Sequence, residues 1–294
     1  MNNSIESDFI KRIDIGQWKQ SSPRLDWADD LEAGRILHFE KLPFSVANSE
    51  QLLFNPAIQK KGARNISLSN NGTLKGADLG IQDQITLTQL ILRYRVLAQN
   101  LIETAFPKYT EHLRIAPTSF RPNQVETRTQ SIRADDKRLH IDAFPTRPNN
   151  GERILRVFMN VNLAGKPRVW RIGEPFADIA NYFVPKIKQY SKFQASILNA
   201  LRITKSLRSE YDHLMLGIHD GMKMDDKYQE NCNQLTYGFA PGSVWVCYSD
   251  QTAHAVMSGQ YMMEQTYHLP IHALYSPEKS PLAVLQKLTN KSLI

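Results

Sequence analysis

The sequence predicts an α+β fold in which a double-stranded β-helix, or jelly roll, carries flanking and inserted α-helices. Short apolar or alternating segments, separated by turn signals, occur in two groups at 113–172 and 234–269. Helical periodicity precedes the first group and separates it from the second, which is typical of a double antiparallel sheet with helical additions. The sequence has no regular strand–helix alternation and no glycine-rich phosphate loop, which disfavours doubly wound nucleotide-binding folds.

The first third of the chain combines a lead-in, one strand and one long helix. Residues 1–30 are polar with scattered aromatic residues and predict irregular or partly helical structure, whereas 35–42 alternate as a strand. Residues 56–82 are rich in Asn, Gly, Ser and Lys, so they predict mostly loop. Apolar residues at three- and four-residue steps then predict an amphipathic helix over 83–106, which ends before Pro107.

Strands dominate the rest of the chain, apart from the helical pattern at 174–226. The predicted strands are 113–116, 119–123, 139–144, 154–162, 168–172, 234–239, 243–248, 254–257 and 261–269. We therefore expect a single domain over 1–294. Its expected parts are N-terminal strand and helical support at 1–110, a jelly-roll core at 111–172 and 232–270, and a helical insert at 173–231.

Composition and charge limit the functional classes. The 294 residues include 36 basic and 29 acidic side chains, a net charge of +7, and 41% are apolar. This is an ordinary globular composition, which excludes a disordered, collagen-like or coiled-coil chain. No apolar run of about 18 residues predicts a membrane span, and the first residues do not resemble a secretory signal. Two cysteines, Cys232 and Cys247, make a reducing cytoplasm the default expectation.

The positive balance favours acidic partners, which include nucleic acid, an anionic membrane face and anionic metabolites. The basic residues are spread along the chain rather than gathered in a block. No zinc-finger, RNA-binding or helix-turn-helix signal accompanies them. Solvated faces of helices and loops are the simplest interpretation, an anionic lipid surface is the next, and we expect no nucleic-acid partner.

His140 and Asp142 form the most informative pair in the sequence. In a strand, residues i and i+2 point to the same face, so this imidazole and this carboxylate can bind one metal ion together. His254, after the turn that contains Asp250, is the expected third ligand, and His268 is the alternative. Two histidines and one carboxylate that leave coordination positions open form the facial triad of non-haem Fe(II) oxygenases.

An ordered set of segments resembles the Fe(II)/2-oxoglutarate-dependent dioxygenase superfamily, roughly over residues 110–270. The segments are His140-X-Asp142, the strand 153–162, Pro241–Trp245 and Asp250–Val256. The residues around the first motif, Arg138-Leu-His-Ile-Asp-Ala-Phe-Pro-Thr-Arg-Pro148, are similar to the Kdo hydroxylase family, and this closer resemblance extends over nearly the whole chain.

The resemblance implies an enzyme that hydroxylates the 3-deoxy-manno-octulosonic acid (Kdo) sugar of Kdo2-lipid A at C3, forming Ko in lipopolysaccharide. It implies that His140, Asp142 and His254 bind Fe(II), and that 2-oxoglutarate and O2 are consumed to give succinate and CO2. Ascorbate is an optional reductant. The expected location is cytoplasmic and peripheral, on the inner face of the bacterial inner membrane. A candidate membrane contact is the basic segment Lys186–Lys192 with Phe183, Tyr190 and Phe193, although this helical insert could instead pack on the jelly roll.

One departure concerns the far carboxylate of 2-oxoglutarate. Many superfamily members bind it through an arginine about six residues beyond the distal histidine, where this chain has Gln260. Glutamine lacks the charged, forked donor that a carboxylate favours. Arg156, among apolar residues of a predicted strand, is the expected substitute, although it could instead pair with an acid on a neighbouring strand.

Four further residues are candidates near this cosubstrate. Arg121 could bind the same carboxylate from a flanking strand, and Thr236 could donate a hydroxyl hydrogen bond. Arg153 and Arg147 are alternative cations, with Arg147 expected nearer the substrate at the rim.

Other functions remain open at this stage. An Fe(II)/2-oxoglutarate oxygenase that acts on a protein, an amino acid or a lipid would share the triad. A non-enzymatic jelly-roll protein that binds sugar or lipid would have a degenerate metal site. The sequence leaves the oligomeric state, the residues that contact the sugar and the acyl-chain preference undetermined.

Overall fold

The structure, a computed structural model, describes residues 2–127 and 130–294. Its strands are β1 (Ile10–Ile13), β2 (Ile36–Phe39), β3 (Ile66–Leu68), β4 (Leu74–Lys75), β5 (Arg114–Ile115), β6 (Thr118–Arg121), β7 (Arg153–Asn160), β8 (Arg168–Gly173), β9 (Gln234–Phe239), β10 (Val244–Tyr248), β11 (His254–Ser258) and β12 (Met262–Leu269). Its helices are α1 (Asn2–Phe9), α2 (Leu25–Glu32), α3 (Asn48–Gln51), α4 (Ile81–Ala105), α5 (Pro107–Thr110), α6 (Phe176–Phe183), α7 (Lys192–Ala200), α8 (Glu210–Met224), α9 (Asp226–Asn231) and α10 (Pro281–Thr289).

Two sheets form the core. The larger has nine strands in the order β1-β2-β10-β7-β12-β6-β3-β4, with β5 also paired to β12, and the smaller has the order β11-β8-β9. The sheets pack face to face, since the ring of Trp170 on β8 lies 5.1 Å from Phe158 on β7 and 5.4 Å from Trp245 on β10. The predicted jelly roll with flanking and inserted helices is confirmed.

The alternation of side chains along β7 determines which of them point towards the second sheet. Leu155 and Val157 lie in the apolar core beneath α4, where the Tyr94 hydroxyl donates to the Val157 carbonyl at 2.7 Å. Arg156 and Phe158 therefore point to the opposite face, between the sheets. Burying each large apolar side chain contributes about 1.5–3 kcal/mol, so the packing against α4 strongly disfavours a one-residue slip of this strand.

The first 82 residues contain more regular structure than the sequence indicates. Strand β1, helix α1 and most of helix α2 lie within 1–30, and strands β3 and β4 lie within 56–82. Strand β1 pairs in parallel with β2 and extends the edge of the large sheet. These strands have two to four residues, which is too short for a periodic pattern to be distinguished from loop.

The predicted strand at 139–144 is wrong. His140 makes only an isolated bridge to His254, and the Asp142 amide then donates to the Ser249 carbonyl at 2.7 Å. The segment therefore bonds two different parts of the chain instead of following one neighbour. The prolines that follow have no amide hydrogen to extend a ladder.

The region 174–226 is not one helical stretch but three helices joined by irregular segments. Pro185 lies in the 3₁₀ turn that ends α6. Ser191 and Ser209 then begin α7 and α8, because their hydroxyl oxygens accept hydrogen bonds from backbone amides of the first turn. No helix in the two described ranges is long and apolar enough to cross a membrane.

Candidate metal centre and adjoining clefts

His140, Asp142 and His254 converge between the two sheets. Each offers one ligand atom, and these atoms all lie within 4.8 Å of one another. His254 begins β11, whereas the other two lie in the segment that leads towards β7. Reciprocal backbone hydrogen bonds join the segments, with N–O distances of 3.1 Å from His140 to His254 and 2.9 Å in the other direction. The structure therefore brings together the three predicted ligands.

Hydrogen bonds orient both imidazoles. His140 Nδ1 lies 2.8 Å from the Arg138 carbonyl oxygen, and His254 Nδ1 lies 2.9 Å from the Thr252 carbonyl oxygen. A carbonyl can only accept, so the hydrogen of each ring is placed on Nδ1 and the Nε2 lone pair remains for a metal. The His254 ring also stacks on Trp170, with centroids 5.2 Å apart.

The protonation states suit a cation. Burial lowers the pKa of His140 and that of His254, so both rings are neutral near pH 7. Burial acts to raise the pKa of Asp142, but Arg156 and the two imidazoles outweigh it and hold that pKa well below its usual range. Neutral imidazoles and an ionised carboxylate are the protonation states that metal binding requires.

The donor set fits Fe(II). Asp142 Oδ2 is buried and accepts no hydrogen bond, although Arg156 Nη2 forms an ion pair with it at 2.8 Å. His140 Nε2 lies 4.0 Å from Asp142 Oδ1, a separation that one shared ion can bridge. Two imidazole nitrogens and one carboxylate oxygen, with the remaining positions open, are the ligands of a facial triad.

Arg156 joins the metal ligands to β12. Its guanidinium contacts Asp142 and, through Nη1, Glu264 Oε1 at 3.1 Å. Arg121 Nη2 contacts the other oxygen of Glu264 at 2.9 Å. The ion pair that the sequence left as the alternative for Arg156 is therefore present, and it fixes the orientation of a ligand carboxylate.

An inner cavity of about 70 Å³ adjoins the triad and is lined by both sheets. Arg121, Arg156 and Arg168 line it together with the aromatic rings of Phe158 and Trp170. Arg168 is 2% exposed, yet its sequence neighbours Lys166 and Arg171 made it look like one of many scattered surface charges. Arg168 and Trp170 are two residues apart on β8 and therefore share a face, which could have identified Arg168 as a residue of the cavity.

Several predicted residues lie elsewhere. Thr236 lies on β9, the edge strand of the small sheet, where it pairs with Arg171 of β8; it is exposed, so its side chain points away from the cavity. Arg153 is fully buried and binds Asp250 at 2.7 Å instead of reaching the cavity. The Gln260 amide nitrogen donates to a loop carbonyl at 2.9 Å and does not line the cavity.

Two larger clefts continue from the inner cavity. A middle cleft of about 480 Å³ shares Asp142, Arg121 and Arg156 with it. An outer cleft of about 770 Å³ shares Arg64 and Phe144 with the middle cleft. Arg147 lines the outer cleft, in agreement with its expected place at the rim, and so does His268. His268 is therefore outside the group of metal ligands.

Comparisons with known proteins agree with this geometry. A family model described as 3-deoxy-D-manno-oct-2-ulosonic acid (Kdo) hydroxylase matches residues 14–292. The chain is 41% identical to the Kdo hydroxylase KdoO, a non-heme Fe(II) alphaketoglutarate-dependent dioxygenase, over 97% of both chains, and the TM-score to its apo structure is 0.92. The KdoO complex with alphaketoglutarate and Fe(III) shows 41% identity over 97% of both chains and a TM-score of 0.91. The KdoO complex with cobalt(II) shows 42% identity over 97% of both chains and a TM-score of 0.92. No curated protein matches the chain.

Proposed function

Because the chain belongs to the Kdo hydroxylase family, we propose that it hydroxylates the Kdo sugar in a reaction that requires Fe(II), 2-oxoglutarate and O2. We also propose that the acceptor is Kdo2-lipid A and that the hydroxyl enters at C3 to form Ko. The observation that carries the proposal is the convergence of His140, Asp142 and His254 within 4.8 Å.

The bound metal, with 2-oxoglutarate and O2, supplies the oxidising power for a C–H bond, while the protein supplies position and charge. His140, Asp142 and His254 would hold the ion. Arg156 keeps Asp142 ionised and oriented. The rings of Phe158 and Trp170 line the inner cavity and make part of its wall apolar.

Incubation of purified Kdo2-lipid A with the protein, Fe(II), ascorbate and 2-oxoglutarate tests the function. We expect mass spectrometry to show one added oxygen on the Kdo unit, and isotopic O2 to supply that oxygen. Nuclear magnetic resonance of the released sugar would locate the hydroxyl. An oxygen found on an acyl chain, or a product formed without 2-oxoglutarate, would contradict the proposal.

We further propose that arginines of the inner cavity bind the far carboxylate of 2-oxoglutarate. Arg156, the residue expected from the sequence, already pairs with Asp142 and Glu264, and Arg121 also pairs with Glu264. Arg168 adds a third guanidinium from the opposite sheet. A forked guanidinium is the geometry that binds a carboxylate best.

Lysine substitutions separate these arginines. Arg168→Lys is expected to raise the KM for 2-oxoglutarate roughly 10-fold, because an ammonium group cannot form the forked pair. Arg156→Lys should also lower kcat, since Asp142 loses its partner. Steady-state kinetics measure both changes, and Arg133→Lys, 70% exposed outside the cavity, is the control. Unchanged KM values for both variants would refute this assignment.

We propose that the enzyme works at the inner face of the bacterial inner membrane through an apolar insert face. This face comprises the exposed side chains of α7 and the segment after it, namely Phe193, Ile197, Leu201, Ile203 and Leu207. Residues 186–209 contain six basic residues and no acidic residue. Exposed apolar groups among cations are typical of a surface that meets anionic lipid. Phe183, expected as part of the contact, is instead buried.

The apolar insert face adjoins the outer cleft. The Lys205 amide donates to the Thr146 carbonyl at 2.9 Å, and Arg208 donates to the Pro145 carbonyl at 2.7 Å. Pro145 and Thr146 line that cleft. A membrane held against the insert would therefore present its headgroups close to the cleft that leads to the metal ligands.

The double variant Phe193→Ser/Leu201→Ser is expected to bind vesicles that contain anionic lipid at least about 10-fold more weakly than the wild type, since it removes apolar area worth a few kcal/mol when buried. Both side chains are exposed, at 74% and 66%, so folding should be preserved. Co-sedimentation measures the effect, and Leu52→Ser, at an 80% exposed leucine, is the matched control. Equal binding by all three proteins would refute the membrane contact.

A further inference from the structure

The outer cleft carries an excess of positive charge that metal binding does not explain. Five arginines and two glutamates line it; the arginines are Arg64, Arg114, Arg121, Arg147 and Arg156. Glu264 accepts from Arg121 and Arg156, and Glu152 pairs with Arg114. Within the described ranges, Arg64 and Arg147 are thus the two cleft arginines that have no carboxylate partner.

His268, which also lines the outer cleft, lies among the same positive charges. Burial, together with the smaller effect of the nearby charges of Arg114, Arg156 and Arg147, lowers its pKa to about 4. The imidazole is therefore neutral near pH 7 and adds no charge. Its Nδ1 atom is buried without a hydrogen-bond partner, so a polar group of a ligand in the cleft would satisfy it.

The dimensions suit a ligand longer than one sugar. The middle cleft, next to Asp142, measures about 480 Å³, and the outer cleft measures about 770 Å³. Sites for compact small ligands span about 300–1,000 Å³. Phe144 and Arg64 line both clefts, so one continuous ligand could extend from the metal ligands into the outer cleft.

We propose that Arg64 and Arg147 form an anion subsite in the outer cleft, which binds a second acidic group of the substrate while the reacting sugar lies in the middle cleft. The inference rests on the proposed function, because Kdo, an octulosonic acid by its description, supplies the first acidic group. The second group is a carboxylate of an adjoining acidic sugar or a phosphate of the glycolipid. Guanidinium groups bind both anions through paired hydrogen bonds.

Removal of the two charges tests the subsite directly. The probes are Kdo monosaccharide, a phosphate-free Kdo disaccharide and Kdo2-lipid A, titrated calorimetrically into anaerobic protein loaded with Fe(II) and 2-oxoglutarate. In Arg64→Gln/Arg147→Gln we expect at least a roughly 10-fold higher Kd for a probe that carries the second anion, and a much smaller change for the monosaccharide, because Arg64 also borders the middle cleft. In hydroxylation of Kdo2-lipid A we expect KM to rise similarly, with kcat within about twofold, because neither arginine lines the inner cavity beside His140, Asp142 and His254.

The three probes identify the source of the anion. A higher Kd of the double variant for the disaccharide would identify the second acidic group as a carboxylate. A higher Kd for Kdo2-lipid A alone would identify it as a phosphate. Both arginines are exposed, so the variants should fold. Lys61→Gln removes one charge from the same loop as Arg64 but outside the cleft, and it should behave as the wild type.

Two results would overturn the subsite. In one, all three probes bind the double variant as they bind the wild type. In the other, binding of the monosaccharide weakens as much as binding of the longer probes, which would mean that the arginines hold the reacting sugar itself. Failure of the wild type to hydroxylate any Kdo acceptor would instead refute the proposed function, and the subsite would fail with it.

Discussion

Replacing His254 with alanine is expected to abolish measurable hydroxylation and to weaken Fe(II) binding by at least about 100-fold. Loss of a residue that only orients a metal ligand typically costs 10- to 100-fold, and here one of three ligand atoms disappears. The His254 ring also stacks on Trp170, so His254→Gln is a second variant that fills most of the space. Calorimetric titration with Co(II) and the hydroxylation assay measure the two losses separately.

His219 provides the matched control for this prediction. Its ring lies 5.6 Å from that of His140, but its Nδ1 bonds Asp220 at 2.9 Å and it is outside the ligand group. His219→Ala should therefore retain metal affinity within a few-fold. If His254→Gln and His254→Ala bound Co(II) as tightly as the wild type, the assignment of the metal centre would be wrong.

Replacing Asp250 with alanine is expected to destabilise the protein by about 3–5 kcal/mol, because it leaves a buried guanidinium without its counter-charge. Arg153 and Asp250 are both fully buried, and Arg153 Nε lies 2.7 Å from Asp250 Oδ2. Asp250 Oδ1 also accepts from the Ile154 amide at 3.0 Å. Urea unfolding followed by circular dichroism measures the change in the free energy of unfolding.

The exposed pair of Arg114 and Glu152 is the control for the buried pair. Its side chains are 62% and 33% exposed, and exposed ion pairs contribute about 0–1 kcal/mol. Glu152→Ala should therefore change the free energy of unfolding by less than about 1 kcal/mol. Comparable losses in Asp250→Ala and Glu152→Ala would contradict the role assigned to the buried pair.

The candidate pair of His140 and Asp142 and the strand β7 could be predicted because both depend on local spacing. The apolar alternation around Arg156 in β7 predicts its strand, and packing of Leu155 and Val157 on α4 selects the face. His140 and Asp142 lie side by side even though 139–144 is not a strand, because a short extended segment gives the same i, i+2 geometry as a strand.

The candidate cosubstrate residues are harder to predict because they depend on which face of a strand points inward. Thr236 and Arg168 lie on neighbouring strands of the small sheet, yet one points outward and the other lines the inner cavity. Periodicity defines two faces of a strand but does not say which one meets the second sheet. Arg153 was equally ambiguous, because its partner Asp250 is distant in sequence.

The reciprocal backbone hydrogen bonds between His140 and His254 bear on how the proposed metal site would exchange its ion. The two backbone segments cannot separate unless both hydrogen bonds break, so the candidate ligands are held together before any ion binds. A chelator should therefore remove the ion without separating the two segments. Rebinding of the ion should then need no refolding step.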